Sequence, residues 1–206
     1  MISIIKTKTD LRHTNSVESK LYSKQSGSFF RKIINVVATN PINTQHKIYN
    51  YVKTLRYAEY HYNNSFLSES KSMYGVWHTF MMMFYYWKLR KISYNTGFQI
   101  PPNTCGPGLQ IWHYGYIIIN SQTRIGRNLT IYPGVEIGHK IPGGGCPVIG
   151  DDCFIGAGSK IFGDISIGNN VTIAANSVVT KDIPDNVVVG GIPATIIKYK
   201  NESFTN

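Results

Sequence analysis

The chain has 206 residues, 42% of them hydrophobic and 16% charged, a balance that fits an ordered globular protein and excludes a disordered one. Lysine and arginine outnumber the acids by 21 to 11, for a formal charge of +10, so an anionic partner is expected: a phosphate-bearing cofactor, an acidic sugar, a nucleic acid or a membrane surface. Cys105, Cys146 and Cys153 form neither a metal-ligand spacing nor a disulfide framework, which points to a reducing cytoplasm.

Residues 1–10 lack an apolar run followed by a small-residue cleavage site, so no secretory signal is expected there. The first 40 residues show little periodicity beyond a short helix expected near 29–37. Residues 44–63 place Ile48, Tyr51, Val52, Leu55 and Ala58 on one side at helical spacing, with Pro41 and Asn43–Thr44 as start signals. Residues 65–72 read as a connecting loop. A second helix is predicted over 72–92; its surface is apolar nearly all round, which implies burial against other helices or another subunit. The stretch 74–87, YGVWHTFMMMFYYW, is too short to span a bilayer. This organisation gives a helical region over 1–95, a second domain over 96–200 and a tail over 201–206.

From Ile119 the pattern changes to a six-residue repeat. The chain reads INSQTR, IGRNLT, IYPGVE and IGHKIP, then an irregular GGGCPV. It resumes with IGDDCF, IGAGSK, IFGDIS, IGNNVT, IAANSV and VTKDIP. Ile or Val opens ten of these eleven hexads, and a period so sustained predicts a solenoid. Three flat strands and three tight corners close a triangular coil, and stacked coils bury a continuous core. The first residue of each hexad is expected to point inward, as are the compact fifth residues Thr123, Val135, Cys153, Ser159, Ile165, Val171, Ser177 and Ile183. Gly or Asn next to the aliphatic residue is expected to serve the corner, through positive φ or close backbone approach. Residues 138–148, GHKIPGGGCPV, break the pattern while keeping the phase from Ile137 to Ile149. They are predicted to leave the solenoid as a loop, where function tends to sit.

GFQIPPNTCGPGLQIWHYGYIIIN, the hexads, and VVTKDIPDNVVVGGIPATIIK resemble the hexapeptide-repeat acyltransferase superfamily, specifically its serine-acetyltransferase-like branch. The helical first half, through NYVKTLRYAEYHYNN, is similar to homologues from surface-polysaccharide gene clusters. The resemblance implies a left-handed parallel β-helix, preceded by a smaller α-helical region. It also implies a homotrimer, with acetyl-CoA lying between adjacent prisms as acetyl donor and no metal. The implied activity is acetyl-CoA-dependent O-acetyl transfer, to a hydroxyl of a capsular, exopolysaccharide or lipopolysaccharide sugar. Serine O-acetylation and amino-sugar N-acetylation are the alternatives; an inactive β-helix binding scaffold is the non-enzymatic one.

By the same resemblance His113, in IWHYGYIIIN, matches the catalytic histidine, a neutral imidazole able to take the hydroxyl proton and return it to the leaving thiolate. His139, on the glycine-rich loop, is the second candidate base or a substrate contact. Ala157 and Ala175, one coil apart, are expected to leave backbone accessible to pantetheine. Thr180 and Lys181 match the adenosine end, and Lys198 a basic residue facing the phosphates; Thr195 stands where related sugar acetyltransferases often carry Arg. Lys160 is expected on the solvated face. The chain departs from the serine acetyltransferases at three places. Trp112 replaces the Asp before the catalytic histidine, Phe98 opens the upstream Asp-Ile-His-Pro motif, and Cys146 replaces a second histidine. Without those carboxylates the ammonium of serine would enter unpaired, whereas Trp112 and Tyr114 offer faces on which a sugar ring can stack. The acceptor is therefore expected to be a carbohydrate, with peripheral membrane proximity if it is lipid-linked. No nucleic-acid module or phosphate-binding glycine loop is present.

Overall fold

The computed structural model describes residues 4–23, 45–68 and 73–200, and the chain divides into two compact units, one over Ile4–Thr96 and one beginning at Gly97. In the first unit, α1 spans Lys8–Ser23, α2 Gln45–Asn63 and α3 Met73–Thr96. The predicted helix at 29–37, with the start signals before residue 45, lies outside the described residues.

Helix α1 is absent from the sequence expectation, yet its start is chemically marked. The Thr7 hydroxyl accepts from the Asp10 amide at 3.0 Å while the Asp10 carboxylate accepts from the Thr7 amide at 2.8 Å, a reciprocal capping box. The expected face of α2 is buried: Ile48, Tyr51, Val52, Leu55 and Ala58 are all fully inaccessible. Beside them lies a buried ionic cluster. The Arg56 guanidinium meets Glu18 of α1 at 2.7 Å and Glu59 one turn on at 2.9 Å. Burial works against its charge, but the two carboxylates raise its pKa well above the ordinary value.

Helix α3 meets α2 through Tyr85, stacked on Tyr57 with ring centroids 5.2 Å apart, and through the His61–His78 pair. Its buried seam is narrow, at Gly75, Met82, Leu89 and Thr96. Met73, Trp77, Phe80, Met83 and Phe84 are exposed in the single chain, so the all-round burial expected of this helix is not met within it. No helix among the described residues is long and apolar enough to cross a membrane.

The second unit is a left-handed parallel β-helix with three faces. The first face stacks β1 (Phe98–Gln99), β3 (Ile117–Ile119), β6 (Glu136–Gly138), β9 (Lys160–Phe162) and β12 (Val178–Val179). The second stacks β4 (Arg124–Ile125), β7 (Val148–Ile149) and β10 (Ser166–Ile167). The third stacks β2 (Gln110–Ile111), β5 (Thr130–Ile131), β8 (Phe154–Ile155), β11 (Thr172–Ile173) and β13 (Val187–Gly191). The antiparallel β14 (Ala194–Tyr199) flanks β13 on that last face. Parallel register puts Ile111, Ile131, Ile155 and Ile173 in one inward ladder. The expected fifth-position residues, from Thr123 to Ile183, are buried.

The corner chemistry differs in part from the expectation. Positive φ falls on the fourth residue of the hexads, at Asn128, Gly134, Asp152, Gly158, Asn170 and Asn176, rather than beside the aliphatic residue. The second-position glycines serve close approach: a Cβ on Gly126 would come within 2.8 Å of the Gly150 carbonyl group in the next coil.

Candidate active site

Two corners of the triangular prism carry the residues singled out from the sequence. The corner between the third and first faces holds Trp112 and His113, between β2 and β3. Ala157 lies there between β8 and β9, and Ala175 between β11 and β12. The corner between the first and second faces holds the glycine-rich loop between β6 and β7, and Thr180 and Lys181 after β12. Within one chain these sets stand on separate edges.

At the first corner the His113 side chain is exposed, and its ring lies 5.9 Å from that of Tyr132, at 61°. Trp112 stacks on Tyr132 with centroids 6.1 Å apart and planes within 14°, and Tyr132 meets Phe154 at 5.4 Å. Tyr132 and Phe154 were not identified from the sequence. Their alignment with Trp112 depends on coils of unequal length, which a fixed period of 18 does not predict. Tyr114 turns toward buried Phe98, edge to face at 6.3 Å, and burial raises its pKa. Its buried hydroxyl has no hydrogen-bond partner among the described residues.

Ala157 and Ala175 are exposed in register one coil apart, and the Ala157 carbonyl accepts from the Asn176 amide at 2.8 Å. The small side chains leave this edge open. On the first face Lys160 corrects the expectation of a solvated residue. It donates to the Glu136 carboxylate at 2.8 Å, the Gly134 carbonyl at 2.9 Å and the Tyr116 hydroxyl at 3.2 Å. Burial opposes its charge, but Glu136 and Tyr116 hold its pKa above the ordinary value.

At the second corner the loop emerges where the pattern breaks, and it accounts for the longer coil between Ile131 and Ile155. The His139 ring lies half-buried, with Nδ1 3.3 Å from the buried Cys146 sulfur. Thr180 is half-buried and Lys181 exposed. Lys198 projects from β14, opposite Val188, and is exposed; Thr195 of the same strand faces Gly190.

Residues 146–181 match the bacterial transferase hexapeptide (six repeats) family. The chain is similar to a serine acetyltransferase of Staphylococcus epidermidis, 44% identical over 108 residues, which is 51% of each protein. A serine acetyltransferase of Staphylococcus xylosus is likewise 44% identical, over 50% of this chain and 49% of that one. The chain therefore spans about half the length of the curated relatives it matches. Among solved structures it resembles the serine acetyltransferase of Brucella abortus strain S19, with a TM-score of 0.68 and 26% identity over 95% of this chain and 72% of that one. The same enzyme in complex with coenzyme A gives a TM-score of 0.66 over 94% and 70% of the two chains, again at 26% identity.

Proposed function

We propose that this chain, whose hexads form a transferase hexapeptide repeat, moves an acetyl group from acetyl-CoA to a hydroxyl, with His113 as general base. The observation that carries this reading is the exposed His113 imidazole on the same prism edge as the open, small-residue positions Ala157 and Ala175. A hydroxyl is too weakly acidic to attack a thioester unaided at neutral pH. An imidazole nitrogen within hydrogen-bond reach accepts the hydroxyl proton as its oxygen adds to the acetyl carbonyl carbon. The tetrahedral intermediate then collapses, the carbon–sulfur bond breaks, and the imidazolium returns the proton to the coenzyme A thiolate. One direct transfer needs no acyl-enzyme.

In this reading pantetheine runs along the edge past Ala157 and Ala175. Thr180 and Lys181 meet the adenosine end, and Lys198 faces the phosphates. Because His113 and the loop with His139 occupy different corners of one prism, a cleft that contains both needs a second copy, and a homotrimer closes three such clefts. The donor fits a cytoplasmic reaction.

The comparisons favour serine as acceptor, since the relatives and solved structures this chain is similar to are named serine acetyltransferases. A second reading, the hydroxyl of a surface-polysaccharide sugar and so a role in polysaccharide biosynthesis, is favoured by the side chains around His113. Phe98 is fully buried against Tyr114 and Trp112 stacks on Tyr132, so neither offers an anion to an ammonium group. Incubation of the chain with acetyl-CoA and either L-serine or oligosaccharides, with free thiol followed, tests both. Acceptor-dependent thiol release is expected; no release with any hydroxyl compound overturns the transferase reading.

A further inference from the structure

We infer that the helical unit carries a ligand site of its own, apart from the acetyl-transfer chemistry of the β-helix. It takes a small organic anion built on a planar ring. Cations at the rim of one cavity, an uncovered indole in its wall and an unpartnered buried amide oxygen together define that ligand.

The three helices enclose a cavity of about 1020 Å³ within this unit, at the upper end of the roughly 300–1,000 Å³ that ligand pockets occupy. Helix α1 contributes Lys8, Leu11, Arg12 and Asn15, whose i, i+3, i+4, i+7 spacing puts all four on one face. Tyr60 and His61 line the cavity from α2, and Trp77 and His78 from the start of α3. Leu11 and Tyr60 are buried and form an apolar floor. The rest of the α1 face is polar, which core packing does not require.

Lys8 and Arg12 are exposed one turn apart, and neither has a salt bridge among the described residues. No acidic residue lines the cavity. Two like charges at this spacing repel, and an anion held between them relieves that repulsion. The positive field also reaches the inner wall: burial, and then the charge of Lys8, lower the pKa of His78.

Asn15 makes the second demand. Its Oδ1 atom is buried and has no hydrogen-bond partner among the described residues. A buried acceptor left unpaired is costly, and an N–H or O–H group of a ligand removes the cost. Asn15 lies three residues beyond Arg12, about 4.5 Å along the helix axis, so a ligand anchored at the rim reaches it across one ring.

Trp77 supplies the surface for that ring. The centroids of Trp77, His61 and His78 form a nearly equilateral triangle with sides of 5.4, 5.0 and 4.9 Å. Both imidazoles therefore meet the indole from one side, and neither is stacked parallel to it. The remainder of the indole is uncovered, with 55% of Trp77 exposed. A flat ring packs there better than an aliphatic chain does.

Ligand-observed NMR titration of the full chain tests this, with indole-3-acetate, 3-indoxyl phosphate, tryptamine and acetate as probes. Both indole anions should bind, and the tighter one shows whether a carboxylate or a phosphate suits the rim. Tryptamine, a cation, and acetate, which has no ring, should not bind. Arg12→Gln should weaken both indole anions about fivefold or more, as the loss of a charged partner does. Lys8→Gln, at a second exposed position, should act in the same direction. Asn15→Leu should weaken indole-3-acetate but leave 1-methylindole-3-acetate, which has no N–H to donate, at its already lower affinity. Four results would each overturn the proposal: no binding of either indole anion, equal binding of tryptamine, affinity untouched by both rim variants, or a methylated analogue as tight as its parent.

Discussion

The Nδ1 atoms of His61 and His78 lie 2.9 Å apart across the α2–α3 contact, so one ring donates a hydrogen to the other and the accepting ring is neutral. Burial, and then the neighbouring His78, push the His61 pKa down to about 4; burial, and then Lys8, lower that of His78. In the unfolded chain both histidines titrate near pH 6.5. The unfolded state therefore binds more protons between about pH 4 and 6.5, and stability is whole above that window and lost as pH falls through it. The loss expected from His61 is on the order of 2–3 kcal/mol. Urea denaturation at pH 7.5 and pH 5 checks this: the midpoint of the helical unit should fall at pH 5, and His61→Gln should flatten the dependence. A midpoint that does not move contradicts the account.

Corner positions make a second prediction, because two kinds of residue solve two different problems there. Asn128 holds φ at 57°, a region that Ala reaches at a cost of about 1–2 kcal/mol and Gly reaches freely. Gly126 has no positive φ but lies against the Gly150 backbone, where a methyl group has no room. Thermal unfolding should therefore rank Asn128→Gly as close to wild type, Asn128→Ala as lower and Gly126→Ala as lowest. A reversed order for the last two would show that strain rather than close approach governs these turns.

Much of the β-helix was legible in the sequence because its core is local. Ile125, Ile149 and Ile167 open hexads, and each hexad closes one corner with its own residues. What the hexads could not reveal depends on which coil lies above which. The inserted loop separates Ile131 from Ile155 by 24 positions, while Ile155 and Ile173 lie 18 apart, so Trp112, Tyr132 and Phe154 share no fixed period. Helix α1 escaped notice for another reason. It buries Thr14 and Glu18 as well as Leu11, so its inner face shows no apolar stripe, and only the Thr7–Asp10 capping box marks it. The pairing of Glu18 with Arg56 is equally silent, since the partners lie 38 residues apart. His113 could be identified only through its resemblance to a known motif; neither its exposure nor its contact with Tyr132 is encoded in local spacing.

Lys198 supplies a third prediction. It is exposed on β14 and would meet a phosphate as a solvent-screened charge. Lys198→Ala should raise KM for acetyl-CoA with kcat little changed, and more so at low salt than at high salt. Steady-state kinetics at two ionic strengths would reveal this, and an unchanged KM at both would remove Lys198 from the donor site.

The central claim is that one imidazole performs the proton transfer. The most direct measurement is the turnover of His113→Ala with acetyl-CoA and a productive acceptor, alongside the oligomeric state of the variant. The account predicts a fall in kcat of about 10²- to 10⁴-fold with the assembly intact. A variant that assembles normally and turns over at the wild-type rate would contradict it.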